Sequence, residues 1–438
     1  MTPAHSLYLH IPFCTHRCAY CDFNTYAGQE ALIPAYVDAL CREIEFTGRR
    51  TPQLPNYPTN IHTIFFGGGT PSLLAPKQFE SILKTIRANF PLMEDAEVTI
   101  EANPGTVSSA DLLDLRKLGI NRISFGVQSA NTEELRMLER AHNFFDVIEA
   151  VSSARKAGFD NLNLDLIYSL PEQTLKTWQA TVRRILDLHP EHISAYALTL
   201  EHGTPFGRWA AKGLLPLPDP DLAAEMYEWA GETFDAHGYA QYEISNWARR
   251  KNEGERMKAE NSVAESLSFI LHNSSFQCRH NLQYWRGLPY LAFGAGAHGY
   301  ANGYRYSNVL RIKTYIERLN TDHWPVNTVF PLTPATVNHH KQTLQDDMSE
   351  FMLTGLRLTG EGVSDHEFQM RFGISMLDVY RKEIAELTKL GLLECINVSR
   401  MLLGEAPGHR ADPVEAMQCR LTRRGRLLGN QVFIRFIR

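Results

Sequence analysis

Three cysteines fall within eight residues, Cys14-Thr-His-Arg-Cys18-Ala-Tyr-Cys21, and they are the residues of this chain best suited to metal chemistry. Thiolates hold iron–sulfur clusters, which ordinarily take four of them. Asp22, Phe23 and Asn24 come after the third cysteine, so no fourth thiol is at hand. Three ligands on a four-iron cluster leave one iron open to a substrate or cofactor. Zinc is the competing occupant, but its sites usually join C-x2-C to a second pair elsewhere, and no such pair is well placed here. Three unrelated buried cysteines are the plainest alternative, and their density argues against it.

Other residues could do chemistry beside them. Phe66-Gly67-Gly68-Gly69-Thr70-Pro71 puts three glycines together, where backbone groups can approach a ligand closely or simply form a tight turn. Glu101-Ala-Asn-Pro104 places a carboxylate on an apolar element, and Gly126-Val-Gln128 is followed twelve residues on by Arg140, whose guanidinium suits a carboxylate. Asp165 lies within Leu162-Asn-Leu-Asp-Leu-Ile-Tyr168, where burial is costly unless the charge is paired or hydrogen-bonded. Cys278-Arg-His280-Asn281-Leu-Gln-Tyr284-Trp285 sets an imidazole beside two aromatics. That combination fits haem, which takes an axial histidine and flat apolar walls, and it equally fits a core histidine with packing partners. Gly294-Ala-Gly-Ala-His-Gly299 matches G-x-G-x-x-G, but the next stretch, Tyr300-Ala-Asn-Gly-Tyr-Arg-Tyr306, is not helical. An irregular glycine-rich loop near the site is therefore expected instead of a nucleotide fingerprint.

The elements that must position these residues alternate. Short apolar runs predict strands over Ser6–Phe13, Thr63–Phe66, Glu97–Glu101, Arg122–Val127, Asn161–Tyr168 and His192–Leu200. Helical patterns lie between them at Ile33–Phe46, Pro76–Ala88, Ala110–Leu118, Thr132–Leu138 with Asp146–Lys156, and Leu175–Leu186. Successive βα units imply a parallel sheet with right-handed crossovers, either a barrel or a doubly wound sheet, with ligands at the carboxyl ends of the strands. After about residue 205 the alternation weakens, and Pro216, Pro218 and Pro220 precede a helix over Leu222–Ala236. Arg249–Ser275 is polar, with a helical core near Met257–Leu271, and reads as a surface insertion. Beyond a junction near Asn327–Pro334, helices over Asp346–Leu358, Ser364–Phe372 and Leu377–Leu390 lead to short strands at Gly391–Cys395 and Cys419–Leu428. The expected domains are 1–245, a connecting region over 246–330, and a winged-helix-like α+β domain over 331–438. A lid or partner module is the reading for the last, ahead of DNA binding, since fold does not fix function.

Composition narrows the classes. Of 438 residues, 44% are apolar and 21% charged, ordinary for a globular protein. A net charge of -5 gives no electrostatic case for nucleic acid or an anionic membrane. No signal-peptide pattern and no bilayer-length apolar run is present, so a cytoplasmic protein with at most transient membrane association is expected. Cys41, Cys278, Cys395 and Cys419 are scattered, which argues against a disulfide framework and for a reducing compartment.

The cysteine spacing with an aromatic before the third resembles the signature of radical S-adenosylmethionine (SAM) enzymes. The resemblance implies a 4Fe-4S cluster on Cys14, Cys18 and Cys21, with SAM chelating the fourth iron and cleaved to a 5′-deoxyadenosyl radical. It favours a partial (β/α)6 barrel. GGGTP is the form that the oxygen-independent coproporphyrinogen III oxidase family carries, and on that likeness Gly68, Gly69, Thr70, Glu101, Gln128, Arg140 and Asp165 would contact SAM, with Tyr8 and Tyr20 as aromatic neighbours. The H-N-x-x-Y-W stretch resembles the haem-binding signature of the haem chaperone branch of that family, implicating His280, Asn281, Tyr284 and Trp285. The oxidases have a further cysteine where this chain has Phe23, and a longer arm ahead of the cluster than the 13 residues before Cys14. The likeness therefore implies haem as cargo, haem-acceptor proteins such as respiratory haem enzymes as partners, and no coproporphyrinogen oxidase activity. Oxidative decarboxylation of coproporphyrinogen III, or another radical SAM reaction such as methyl transfer, are the competing activities. The chain departs from typical relatives in its extended Arg249–Ser275 segment.

Overall fold

The computed structural model describes residues 5–51, 60–250, 276–321, 328–397 and 417–437. The chain divides into two compact units, Met1–His237 with Leu288–Lys341, and Gly238–Gly287 with Gln342–Arg438.

The first unit is built on six parallel strands in sequence order: β1 (His5–Ile11), β2 (Ile61–Gly68), β3 (Leu92–Ala102), β4 (Arg122–Gln128), β5 (Leu162–Tyr168) and β6 (His192–Ala197). Helices α1 (Ile33–Gly48), α2 (Pro76–Asn89), α3 (Ser109–Lys117), α4 (Thr132–Met137), α5 (Phe144–Lys156) and α6 (Leu175–Leu186) connect them, giving the partial (β/α)6 barrel. Three of these helices start with a local capping signal. Ser108, Asn143 and Thr174 accept the first free N–H groups of α3, α5 and α6. On its other side β1 pairs in parallel with β7 (Tyr290–Phe293), and β8 (His298–Ala301), β9 (Tyr304–Asn308) and β10 (Thr336–Lys341) continue antiparallel.

The strand sequences carry two chemistries on opposite faces. Leu7, Leu9 and Ile11 of β1, Ile123, Phe125 and Val127 of β4, and Leu162, Leu164 and Leu166 of β5 are fully buried apolar residues. The alternate positions are polar and meet one another through the register: Glu101 lies opposite Ser124, Ser124 opposite Asn163, and Asp165 opposite Ser194. Such groups survive burial because they bond to each other. Thr63 donates to Ser6 at 2.6 Å, and His192 Nδ1 meets Asn163 Oδ1 at 2.6 Å.

The second unit has a hairpin, Tyr239–Glu243 with Asn246–Arg249, and the short helix Arg279–Trp285. Its C-terminal part runs helix Leu344–Gly355, strand Val363–Ser364, helices Asp365–Phe372 and Met376–Lys389, then strands Leu393–Asn397 and Met417–Leu421. The three strands form one antiparallel sheet over a core that includes Phe351, Phe368, Tyr380, Leu421 and Phe436. This is the element order of a winged helix. The strand expected over Cys419–Leu428 ends at Leu421, because the Thr422 hydroxyl accepts from Gly425 N–H and starts a helix. The reading of Cys395 and Cys419 as scattered thiols is corrected. The antiparallel register sets them directly opposite, Cα atoms 4.1 Å apart, and they form a disulfide. Sequence alone cannot foresee a pairing between residues brought together by strand register. Residues 251–275, nearly all of the expected surface insertion, lie outside the described residues, as do 322–327 at the expected junction.

Candidate cluster and cofactor site

Strand β1 delivers the chain to Cys14, and the cysteine loop closes back when Tyr26 N–H donates to Pro12 C=O at 2.8 Å. The glycine run of β2 zips along this approach. Gly69 N–H donates to Ile11 C=O at 2.9 Å and Thr70 N–H to Phe13 C=O at 2.7 Å. A Cβ on Gly69 would lie 2.5 Å from Phe13 O and 3.1 Å from Cys14 Sγ, so only glycine permits this contact.

Each cysteine faces a side-chain donor. Thr70 Oγ1 is 3.5 Å from Cys14 Sγ, Arg140 Nη1 is 3.7 Å from Cys18 Sγ, and Thr25 Oγ1 is 4.0 Å from Cys21 Sγ. Burial pushes the Cys14 and Cys21 thiols up, and the neighbouring cysteines add to the shift. Bound iron would reverse this balance, because its positive charge favours thiolate. Among the described residues no three imidazoles, thiols or carboxylates converge tightly enough to hold one metal ion. A four-iron cluster does not require that, since each thiolate binds a different iron.

The residues expected around SAM gather at the carboxyl ends of β1–β5. Glu101 is half-buried and accepts Gly68 N–H at 3.0 Å. Burial, and then the Asp165 charge, push its carboxyl up to about 7, against the pull of Gly68 N–H and Arg122. Asp165 is held at both oxygens, by Ser124 Oγ at 2.6 Å and Asn163 Nδ2 at 2.8 Å. Arg140 donates to Gly126 C=O at 2.8 Å and to Asn103 Oδ1, while its buried Nε has no acceptor among the described residues. That orphan donor fits an anionic group such as the SAM carboxylate. Gln128 ends β4 with φ 68°, and a Cβ on Gly126 would meet Gln128 Nε2, Asn103 Oδ1 and Arg140 Nη2 within 3.0–3.3 Å. Gly126 thus marks where these three converge. The Tyr8 hydroxyl meets His10 Nδ1 at 2.9 Å, and its ring stacks on Phe65. Tyr20 packs toward Phe206, and burial raises its hydroxyl despite the Arg140 charge beside it.

Sequence reasoning misses three side chains. Asn103 bridges Arg140 and Thr70, donating to Thr70 Oγ1 at 3.0 Å. It lies inside the Glu101–Pro104 stretch, one position past the end of β3 at Ala102, and no local signal in the sequence marks it. His10 Nε2 donates to Asn24 C=O at 2.9 Å, and Asn24 Nδ2 donates to Ala295 C=O at 3.0 Å and Leu310 C=O at 3.1 Å. The G-x-G-x-x-G loop is therefore a brace for the cysteine loop: a Cβ on Gly296 would collide with Asn24, and one on Gly294 would lie 2.5 Å from His10 O.

The haem-expected residues lie in the second unit, on one seven-residue helix. His280 is 1% exposed, and its Nε2 meets the Tyr284 hydroxyl at 2.8 Å, four residues on along the same face. Asn281, Tyr284 and Trp285 are half-buried. The Arg357 guanidinium lies 4.3 Å over the Trp285 ring, whose buried Nε1 has no acceptor among the described residues. The imidazole thus faces inward while the aromatics border the surface.

Residues 8–185 match the Radical SAM superfamily and residues 342–398 match the HemN C-terminal domain. The class of protein is thus a radical SAM protein with a HemN-type C-terminal domain. Among curated proteins, Heme chaperone HemW of Bacillus subtilis is 35% identical over 99% of both chains, and that of Lactococcus lactis 32% identical over 99% of this chain and 97% of its own. Heme chaperone HemW of Escherichia coli is 37% identical over 68% of this chain and 70% of its own. The chain belongs to the HemW family within the radical SAM superfamily. Among solved structures, coproporphyrinogen III oxidase (HemN) from Escherichia coli, a radical SAM enzyme, shares the fold with a TM-score of 0.75 at 24% identity, over 99% of this chain and 90% of that one.

Proposed function

We propose that this chain is a haem chaperone: it binds haem and passes it to acceptor proteins, while carrying a 4Fe-4S cluster and SAM. The observation that carries the reading is whole-length likeness to curated haem chaperones. Cys14, Cys18 and Cys21 would hold the cluster. Gly68, Gly69, Thr70, Glu101, Gln128, Arg140 and Asp165, bordered by Tyr8 and Tyr20, would hold SAM. When bound, that pair supplies one-electron chemistry. The protein's own part is to orient: Arg140 offers donors to a carboxylate, Glu101 and Asp165 offer acceptors, and the glycine run admits the ligand close to the backbone.

His280 would be the haem ligand or its close neighbour, with Asn281, Tyr284 and Trp285 shaping the site. Ligation requires His280 Nε2 to leave the Tyr284 hydroxyl, so haem competes with an internal hydrogen bond. Such competition holds affinity down, as a donor that must release its cargo needs. The acceptors are proposed among respiratory haem enzymes, and the compartment is the cytoplasm. No helix among the described residues is long and apolar enough to cross a membrane.

Anaerobic reconstitution, followed by haem titration and a coproporphyrinogen III assay on one sample, tests the reading. About one haem per chain and no protoporphyrinogen IX is the expected result. Robust protoporphyrinogen IX formation, with haem binding indifferent to His280, would turn the assignment over to the oxidase reaction.

A further inference from the structure

Asn103 has an orientation that its neighbours dictate. Its Oδ1 faces Arg140 Nη2, which can only donate, so its Nδ2 must face Thr70 Oγ1, 3.0 Å away. Thr70 accepts that bond with a lone pair and spends its single hydrogen on Cys14 Sγ at 3.5 Å. Arg140, held by Asn103 and by Gly126 C=O at 2.8 Å, extends Nη1 to Cys18 Sγ at 3.7 Å. One amide therefore fixes the donors that serve two of the three cysteines.

We propose that Asn103 is a positioning residue that raises the reduction potential of the cluster by aiming Thr70 at Cys14 and Arg140 at Cys18. The inference rests on the cluster assignment made above. Its physical basis is that reduction adds negative charge, and donors on ligand sulfurs stabilise the more negative state. The amide also polarises the Thr70 hydroxyl, strengthening the bond it donates.

Isosteric changes isolate the effect. In Asn103→Asp the carboxylate accepts from both Arg140 and Thr70, so the Thr70 hydrogen turns away from Cys14. Thr70→Val removes that hydrogen and keeps the shape, whereas Thr70→Ser keeps the hydroxyl. Redox titration of anaerobically reconstituted protein, followed by electron paramagnetic resonance, reads the potential directly. N103D and T70V are expected to keep wild-type iron content but to show a tenfold lower reduced-to-oxidised ratio at a fixed potential, about 59 mV for one electron. T70S should stay near wild type, and N103A should shift in the same direction as N103D. Unchanged potentials in T70V and in whichever Asn103 variant keeps its iron overturn the proposal. Wild-type protein that takes up no cluster instead sinks the cluster assignment, and this inference with it.

Discussion

With Glu101 in the proposed SAM site, the binding of SAM is expected to depend on pH in a calculable way. Its carboxyl stands near 7 instead of 4.5, first through burial and then through Asp165. That rise corresponds to roughly 3 kcal/mol against ionisation. Linkage sets the sign. Below pH 4.5 the carboxyl is protonated in both folded and unfolded chains, and its contribution to stability is fully present. As pH rises toward 7 the unfolded chain loses the proton while the folded site keeps it, and stability falls until the folded carboxyl also ionises. SAM carries a fixed sulfonium charge and N–H and O–H donors, all of which favour ionised Glu101. Its affinity should therefore be about tenfold weaker at pH 6 than at pH 8, because a group titrating near 7 is about one-tenth ionised at pH 6.

Glu101→Gln removes the titration while keeping an acceptor for Gly68 N–H. The variant should bind SAM weakly and with a flatter pH profile, and it should be more stable than wild type at pH 8 by up to about 3 kcal/mol. Equilibrium dialysis of cluster-loaded protein between about pH 6 and 8 measures the first, and urea unfolding of the unloaded chain the second. Whatever slope persists in the variant belongs to SAM itself. A wild-type affinity flat over this range, or a variant with the wild-type slope, would refute the reasoning.

Three further outcomes are expected. Cys14→Ala, Cys18→Ala and Cys21→Ala should each abolish the reconstituted iron–sulfur absorption, checked with iron and sulfide analysis; full cluster content in all three would end the assignment. His280→Ala should lower haem affinity or shift the Soret band without loss of cluster, whereas Tyr284→Phe, which removes the hydroxyl that meets Nε2, should tighten haem binding several-fold. Glu43→Ala should destabilise the fold by about 3 kcal/mol or more in chemical denaturation. That buried carboxylate accepts from Gly294 N–H at 2.9 Å, Asn308 Nδ2 and the Thr333 hydroxyl at 2.8 Å each, and the Tyr315 hydroxyl at 2.5 Å, all of which would lose their acceptor.

Strand alternation and the cysteine spacing made the first unit legible from sequence, because both are local signals. Five of the six strands and all their helices fall within three residues of the expected ranges, β3 starts five residues earlier than expected, and α6 lies at Leu175–Leu186 as expected. Glu101 and Asp165 could be marked because a charge in an apolar strand needs a reason. Asn103 could not, since its importance lies in two partners at positions 70 and 140 that only folding brings together. The Cys395–Cys419 pair failed for the same reason: strand register, not spacing, makes it. The burial of His280 is a further case. One helical turn sets it against Tyr284, but no local pattern says which face of so short a helix turns inward.

The glycine loop at 294–299 shows how a motif can be real and its usual meaning wrong. Its glycines answer to close approach, as in a nucleotide site, but the group that approaches is the protein's own cysteine loop through His10 O and Asn24. The Tyr36 hydroxyl joins the two, donating to His10 C=O at 2.7 Å and accepting Ala295 N–H at 2.9 Å, while Glu43 anchors Gly294 from the same helix α1. Helix α1 comes just after the cysteine loop in the chain and the glycine loop some 250 residues later, so the cysteines are held from both sides by elements far apart from each other in sequence. A three-cysteine loop of few residues cannot fix its own geometry against the entropy of so short a flexible segment. Its order must come from the barrel, which explains why β7 is added in parallel beside β1: that pairing carries Gly294 to the end of the strand from which the cysteines emerge.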